Sequence, residues 1–517
     1  MSAPHPKRKL IWTTRPNVAP SKRQVKNPCL LYGLHRLDFP SAVAENQPAN
    51  KNRMTTELSN FAARLRESIQ GRDAALRRPV GAARRPCQNL EFDTLALELF
   101  AIQFQHNAAY RKICAARGFT PGIVEHWTRI PAVPTSAFKE LELTCLAPNE
   151  RTAVFHSSGT TEQKPSRHFH SPESLKLYEV SLIPWFLKNV VPDLRFTNDD
   201  LRLVCLAPPP PQAPHSSLVH MFETVRQKLG GASVPALSSR QSRWGGEGGS
   251  RAEFLGSIAA DGSWTLDGAA VVDALSPRRQ PASPKREREG GTPAGLAEAR
   301  ARRQDARPLL LLGTAFSFVH LLDFLAERNL RFDLPAGSRV METGGYKNRS
   351  RSMPKTELHQ FITERLGIPS SHIICEYGMS ELSSQAYDGI EAGARPSPGA
   401  ATLNMRASSD FQESPGASPL RRPGRAHSGS NIFHFPPWAR VQIISPETGF
   451  EVSDGETGLI RVFDLANVFS VMAIQTEDLA IRHGGGFELL GRATQAEPRG
   501  CSLMAQSAFY NPQSAIK

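Results

Sequence analysis

The sequence lacks the cysteine pattern of a disulfide framework or a zinc module. Its seven cysteines are an odd number, include no Cys-x-x-Cys pair and follow no regular spacing. Scattered cysteines in a long chain are typical of reduced thiols. We therefore expect no disulfides. Cys375 falls in an apolar stretch, where we expect it to be a core residue.

Long apolar runs are also missing. The longest apolar stretch, Leu309 to Ala326, is interrupted by glycine, serine, histidine and aspartate. Near the start of the sequence, Leu10 to Trp12 is an apolar run too short for the core of a signal peptide. The sequence therefore predicts no membrane span and a cytoplasmic location.

Most of the chain carries no net positive charge, although the formal net charge of the whole chain is +13. Lysine and arginine exceed the acids by ten to two over 1–55, nine to four over 276–308 and five to two over 395–430. A nucleic-acid site needs basic residues on a folded face with aromatics among them. These segments instead mix proline, serine, glycine and arginine, so we expect no specific nucleic-acid partner. A nucleic-acid-binding protein remains an alternative, which removal of residues 1–55 would test.

The composition and the hydrophobic pattern predict four regions. These are a basic, disordered leader over 1–55, an α/β body over 56–430, a β-rich subdomain over 431–490, and a short tail carrying Cys501 over 491–517. Low-complexity insertions are predicted near 237–251, 276–308 and 395–430.

Within the body, helical periodicity is expected over 57–79 and 90–118, and loop with a short strand over 128–150. Apolar strands then alternate with loops and helices, and a helix is expected after Gly378. Such alternation is typical of α/β folds, which bind ligands at the ends of their strands.

The most informative string follows a predicted strand and reads Phe155-His-Ser-Ser-Gly-Thr-Thr-Glu-Gln-Lys164-Pro165. Small residues allow backbone N–H groups to approach phosphate oxygens, hydroxyls add donors, and a lysine adds positive charge. The string is not a Gly-x4-Gly-Lys-Ser/Thr P-loop, and no Gly-x-Ser-x-Gly elbow of a serine hydrolase is present. A plain Ser/Thr-rich turn is the alternative. His168 and His170 alternate in the following strand, where they share a face and could bind a metal. With no third ligand nearby, we expect structural or solvent-facing histidines.

Four further motifs follow in order: Glu342-Thr-Gly344-Gly345-Tyr346, Glu376-Tyr377-Gly378-Met379-Ser380-Glu381, Thr476-Glu477-Asp478 and Gly491-Arg492. Together with the loop, they resemble the motifs of the adenylate-forming enzymes, which use ATP to convert a carboxylate to an acyl-adenylate and pyrophosphate. The chain is most similar to the acyl-protein synthetase (LuxE-type) family, through strings such as Phe138-Lys139, Gly313-Thr-Ala-Phe316, Pro436-Pro-Trp-Ala-Arg440 and Phe463-Asp-Leu-Ala-Asn-Val468. The likeness spans about residues 57–506, less the three insertions.

This resemblance implies an α/β fold, with a large N-terminal body, a β-rich subdomain and a truncated C-terminal lid. It also implies that the region over 491–517 begins with a hinge, at Gly491-Arg492. It also implies ATP and Mg²⁺ as cofactors. The implied ATP-binding residues are Ser157, Ser158, Gly159, Thr160, Thr161, Gly344, Gly345, Glu376, Tyr377, Gly378, Ser380, Asp478 and Arg492, with Glu381 as the metal ligand. Tyr377 would stack on adenine, Glu376 would accept from its amino group, and Asp478 would accept from the ribose hydroxyls.

Lys164 and Cys501 are the implied catalytic residues. Few residues follow Arg492, and the only lysine among them is Lys517. We therefore expect no lid domain with a catalytic lysine. LuxE-type enzymes pass the acyl group to a cysteine near their own C-terminus, and Cys501, in Arg499-Gly-Cys-Ser, stands at that place. Arg492 and Arg499 would favour its thiolate.

The expected function is ATP-dependent activation of a fatty or otherwise hydrophobic acid. The acyl group would then move to Cys501 as a thioester, for delivery to a partner such as an acyl reductase. Two alternatives stay open: an acid–CoA ligase, and a non-catalytic nucleotide-binding scaffold.

Overall fold

The structure is a computed structural model. The residues it describes are 48–76, 92–157, 164–192, 201–229, 252–260, 262–276, 307–344, 353–388 and 431–493, with side chains from 56 to 71 in the first helix. The chain divides into two compact units, Met1–Asn50 and Lys51–Lys517. Apart from the first residues of α1, the elements below belong to the second unit.

Nine α-helices lie in the described residues. They are α1 Pro48–Leu76, α2 Phe92–His106, α3 Ala108–Ala116, α4 Ala137–Glu140, α5 Pro172–Val190, α6 Ser217–Leu229, α7 Gly268–Leu275, α8 Ala315–Glu327 and α9 Lys355–Leu366. The helices expected over 57–79 and 90–118 are present, but the second is divided at Asn107. The Asn107 side chain accepts from the backbone N–H of Tyr110 and caps α3, which makes it a helix start.

Sixteen strands lie in the same residues. They are β1 Val133–Pro134, β2 Ala153–His156, β3 Arg167–His170, β4 Arg202–Leu206, β5 Ala252–Phe254, β6 Gly256–Ile258, β7 Trp264–Leu266, β8 Leu309–Thr314, β9 Arg339–Thr343, β10 Ile373–Tyr377, β11 Ala386–Tyr387, β12 Ile432–Phe433, β13 Ala439–Ile444, β14 Thr457–Asp464, β15 Ala473–His483 and β16 Gly486–Arg492. The predicted α/β class is confirmed.

The central sheet has the order β11-β10-β9-β8-β4-β5. Its neighbouring strands pair in parallel, except that β11 is antiparallel to β10. Every residue of β8, β9 and β10 is buried, as expected for strands covered on both faces. Because parallel strands share one direction, Thr314, Thr343 and Tyr377 all lie at the same edge of this sheet.

A second, mainly antiparallel sheet has the order β12-β16-β15-β14-β13. Strand β1 joins it in parallel, with Val133 opposite Ile474. Strands β13 and β14 pair in antiparallel fashion, with Ala439 opposite Asp464 and Ile444 opposite Leu459. A separate hairpin, β2–β3, carries the Ser/Thr-rich string.

The core continues from α1–α3 into the second sheet through one large apolar cluster. The fully buried Gln103 of α2 holds this contact with polar bonds. Its amide donates to the carbonyls of Asn467 and Val468 and accepts from the backbone N–H of Met472, at 2.7, 3.1 and 3.1 Å. Among the residues described, no helix combines the length and apolar composition that a membrane crossing requires.

The prediction of a helix after Gly378 is wrong. Residues 378–388 form turns and the short strand β11. The cause is a distant carboxylate, because Asp464 accepts from the Ser383 backbone N–H at 2.9 Å and from the Ser384 hydroxyl at 2.8 Å. These bonds hold the segment in a conformation that is not helical.

Candidate functional site

The carboxyl end of β10 meets the second sheet, and the predicted motifs gather there. Tyr377 ends β10, and Asp478 lies in β15 directly opposite Arg492 of β16. The Tyr377 hydroxyl donates to Asp478 Oδ2 at 2.9 Å, and Arg492 Nε lies 3.2 Å from Asp478 Oδ1. One carboxylate thus joins motifs that are about a hundred residues apart in the sequence.

The ring of Tyr377 is buried. It packs at steep angles against Phe433, Phe435 and Phe487, with ring centroids 6.3, 6.2 and 5.3 Å away. Burial, and then the negative charge of Asp478, raise the pKa of the phenol well above its usual value. Tyr377 therefore remains a hydrogen-bond donor. Its stacking on adenine stays a prediction.

Glu376 is a buried carboxylate beside this contact. It accepts a hydrogen bond from the Thr343 hydroxyl on the neighbouring strand β9. Burial raises its pKa to about 7, neighbouring Glu342 adds to the rise, and the Thr343 hydrogen bond opposes it. Near neutral pH this group can therefore offer an acceptor oxygen or donate a proton.

Two glycines shape the same edge. Gly344 has φ of +79°, a conformation that favours glycine, and it turns the chain directly after β9. A Cβ at Gly378 would collide with the carboxylate of Glu376. Both predicted glycines therefore have a steric reason for their identity.

Ser380 and Glu381 form the next part of the site. Both are buried, and the Ser380 hydroxyl donates to Glu381 Oε2 at 3.0 Å. Their backbone is held from two sides. His168 Nδ1 lies 2.8 Å from the Ser380 carbonyl, and Asn467 Nδ2 donates to the Glu381 carbonyl at 2.8 Å. A carboxylate is a hard oxygen donor of the kind that Mg²⁺ prefers, so Glu381 fits a magnesium ion shared with phosphates.

The Ser/Thr-rich loop leaves the hairpin β2–β3. At its base, Ser157 Oγ accepts from the Ser166 backbone N–H at 3.0 Å. Lys164 lies 3.3 Å from Glu140, and both side chains are more than half exposed. An exposed pair of this kind contributes little free energy, so Lys164 can exchange Glu140 for a phosphate at small cost. The catalytic role of Lys164 stays a prediction.

Several predicted site residues lie outside the described residues. They are Ser158, Gly159, Thr160, Thr161, Gly345 and Cys501. Their roles stay predictions.

Several residues around the site were not expected from the sequence. Thr343 positions Glu376, Asp464 holds the segment after Ser380, and Asn467 fixes the carbonyl of Glu381. All three stand in strings that carry the family resemblance, but nothing in their local spacing assigns them a partner. His168 and His170 are both buried on one face of β3, which makes them structural and not solvent-facing, and burial lowers the pKa of each.

Residues 83–168 match a family model described as acyl-protein synthetase, LuxE. The predicted resemblance to the acyl-protein synthetases is confirmed. The matched range includes α2, α3 and the hairpin with its Ser/Thr-rich loop, but not the motifs from Glu342 onward. No curated protein matches the chain.

Solved structures of ligases are similar to it at low identity. A 2-hydroxyisobutyryl-CoA ligase with 2-HIB-AMP and CoA is 13% identical, with 78% of this chain and 75% of that chain covered and a TM-score of 0.46. ATP-bound MatB from Rhodopseudomonas palustris is 14% identical over 85% and 73%, with a TM-score of 0.35. The amide bond synthetase McbA from Marinactinospora thermotolerans is 13% identical over 67% and 49%, with a TM-score of 0.33. The α/β class of this chain rests on the sheets described above.

Proposed function

We propose that this acyl-protein-synthetase-like chain activates a carboxylic acid with ATP. The acid's carboxylate oxygen would attack the α-phosphorus, the bond to the β-phosphate oxygen would break, and acyl-adenylate and pyrophosphate would form. The family match supports this, since it includes the loop that would hold the phosphates. The observation that carries the proposal is the 2.9 Å hydrogen bond by which Tyr377 and Asp478 join two predicted nucleotide motifs.

The chain's own residues have distinct tasks in this reaction. The hydroxyls and backbone N–H groups of the loop, with Lys164, would hold the phosphates and offset the charge that develops as pyrophosphate leaves. Ser380 would donate to the α-phosphate. Asp478, oriented by Arg492, would accept from the ribose hydroxyls. Mg²⁺, when bound by Glu381, would supply further charge neutralisation.

A second step would follow at Cys501. Its thiolate sulfur would attack the acyl carbonyl carbon, the bond from carbon to the AMP oxygen would break, and a thioester and free AMP would result. A fatty or otherwise hydrophobic acid and a partner such as an acyl reductase complete the proposal. An acid–CoA ligase is the second candidate, and it differs in having CoA as the acceptor.

The test is acid-dependent exchange of labelled pyrophosphate into ATP, with a panel of carboxylic acids. Wild type, Asp478→Ala, Cys501→Ala and, as a matched cysteine control, Cys29→Ala would be compared, and labelled acid would be followed onto the protein. We expect exchange in all but Asp478→Ala, and label on every exchanging protein except Cys501→Ala. Exchange without label on wild type would favour the CoA ligase. ATP binding without exchange for any acid would favour the scaffold.

A further inference from the structure

The strands β9 and β10 present different residues to their two faces. Thr343 and Glu376 face the candidate nucleotide site, at the edge of the central sheet that also carries Tyr377. The preceding residues, Glu342 and Cys375, point to the opposite face, because side chains alternate along a strand. They lie side by side in the sheet register. Helix α9 covers this face and places His359 against them.

The three side chains form a compact triangle of donor atoms. Cys375 Sγ lies 2.7 Å from Glu342 Oε1, His359 Nε2 lies 3.3 Å from the same oxygen, and Sγ lies 3.7 Å from Nε2. Around a tetrahedral zinc ion, with zinc–sulfur bonds of about 2.3 Å and zinc–nitrogen or zinc–oxygen bonds of about 2.0–2.2 Å, donor atoms lie about 3.3–3.7 Å apart. Two sides of the triangle already fit. The third would lengthen by less than about 1 Å.

The surroundings match the charge of such a site. Lys355 Nζ lies 2.6 Å from Asp388 Oδ2, and Asp388 Oδ1 accepts from the Cys375 backbone N–H at 2.6 Å. This ion pair is neutral as a unit. A thiolate and the carboxylate of Glu342 together carry two negative charges, which a zinc ion would balance. Zinc binds cysteine as the thiolate, so the ion would take the place of the thiol proton of Cys375.

We propose that Glu342, His359 and Cys375 bind a zinc ion, with the fourth position open to water. Thiolate, imidazole and carboxylate form a donor set that zinc takes in proteins. The ion would connect β9, β10 and α9 on the face of the sheet opposite Thr343 and Glu376, and it would hold the helix against the sheet. The His359 side chain is 15% exposed, which leaves solvent a path to the site. This proposal does not depend on the proposed ligase activity.

The same triangle could instead be a hydrogen-bonded triad without metal, in which thiol and imidazole both donate to Glu342. Zinc binding distinguishes the two. The chelator-treated full-length chain would be titrated with zinc against a chromophoric chelator, and with Co²⁺ to observe the thiolate-to-cobalt charge-transfer band. Cys375→Ser and His359→Gln are the variants. Cys205→Ser, in β4 of the same sheet and also buried, is the control.

We expect wild type and Cys205→Ser to bind one zinc ion, and both ligand variants to bind it at least about tenfold more weakly. The charge-transfer band should disappear in Cys375→Ser and persist in Cys205→Ser. Absence of zinc binding, or affinity unchanged in both ligand variants, would overturn the proposal. His359→Gln keeps the test decisive if Cys375→Ser does not fold. The His359 side chain is only partly buried, so its replacement should disturb the core less than a change at the buried Cys375.

Discussion

Asp464 and Glu376 are both buried carboxylates near strand ends, but their surroundings differ. Asp464 accepts from the backbone N–H groups of Ser383 and Ala466 and from the Ser384 hydroxyl, at 2.9, 3.0 and 2.8 Å. Within the described residues, Glu376 accepts a hydrogen bond from Thr343 alone. A carboxylate that accepts several hydrogen bonds from the protein stabilises the fold. A carboxylate that accepts few has acceptor positions left for hydrogen bonds from a ligand.

The largest effect should come from Asp464→Ala. This change leaves two backbone N–H groups and a hydroxyl without their acceptor, and each unpaired buried donor costs about 1–3 kcal/mol. We expect the free energy of unfolding to fall by about 3 kcal/mol or more, as measured by urea denaturation. Asp464→Asn retains one acceptor oxygen and should lose less. Equal losses in the two variants would contradict the role given to these bonds.

The pH dependence of stability separates the two carboxylates further. Burial raises the pKa of Glu376 from 4.5 to about 7 and that of Asp464 from 3.8 to about 6. The folded state therefore holds protons that the unfolded state has lost, and stability falls as pH rises through these ranges.

We expect Glu376→Gln to flatten the decline between about pH 4.5 and 7, and Asp464→Asn to flatten it between about pH 3.8 and 6. Unfolding midpoints measured across a pH series would show this. Glu364→Gln, a change at an exposed position of α9, is the matched control. A wild-type stability that rises with pH over these windows would contradict the assignment.

The comparison also shows what the sequence could predict. The apolar runs of β8 to β10 are local signals, and they predicted the α/β class that the sheets confirm. The order of the motifs is also a local signal, and it predicted the resemblance that the family match confirms. The segment after Gly378 was mispredicted as a helix because its partner, Asp464, lies about eighty residues away. The triangle of Glu342, His359 and Cys375 is likewise brought together by strand register and helix packing, which no spacing in the sequence reveals.

A smaller effect, on ATP binding, is expected for Glu376→Gln. The change keeps the shape of the side chain and removes the buried charge that lowers wild-type stability as the pH approaches 7, so a loss of binding near neutral pH would not reflect a loss of folding. If Glu376 accepts from the adenine amino group, the Kd for ATP should rise about tenfold, which is about 1.4 kcal/mol. Isothermal titration calorimetry with ATP and GTP would measure this. An unchanged Kd for ATP would remove Glu376 from the nucleotide site.

The smallest effect should come from Tyr377→Phe, which removes one hydroxyl and leaves Asp478 paired with Arg492. A single hydrogen bond of this kind contributes about 0.5–1.5 kcal/mol, and we expect a loss of that size in the free energy of unfolding.

Tyr110→Phe is the matched control, because the buried Tyr110 hydroxyl donates to the Pro131 carbonyl at 2.8 Å, away from the site. Both variants should lose similar stability, but only Tyr377→Phe should weaken ATP binding. It alone removes one of the two contacts, to Tyr377 and Arg492, that position the Asp478 carboxylate. Equal ATP affinity in the two variants would mean that the contact between β10 and β15 holds the fold without orienting a nucleotide.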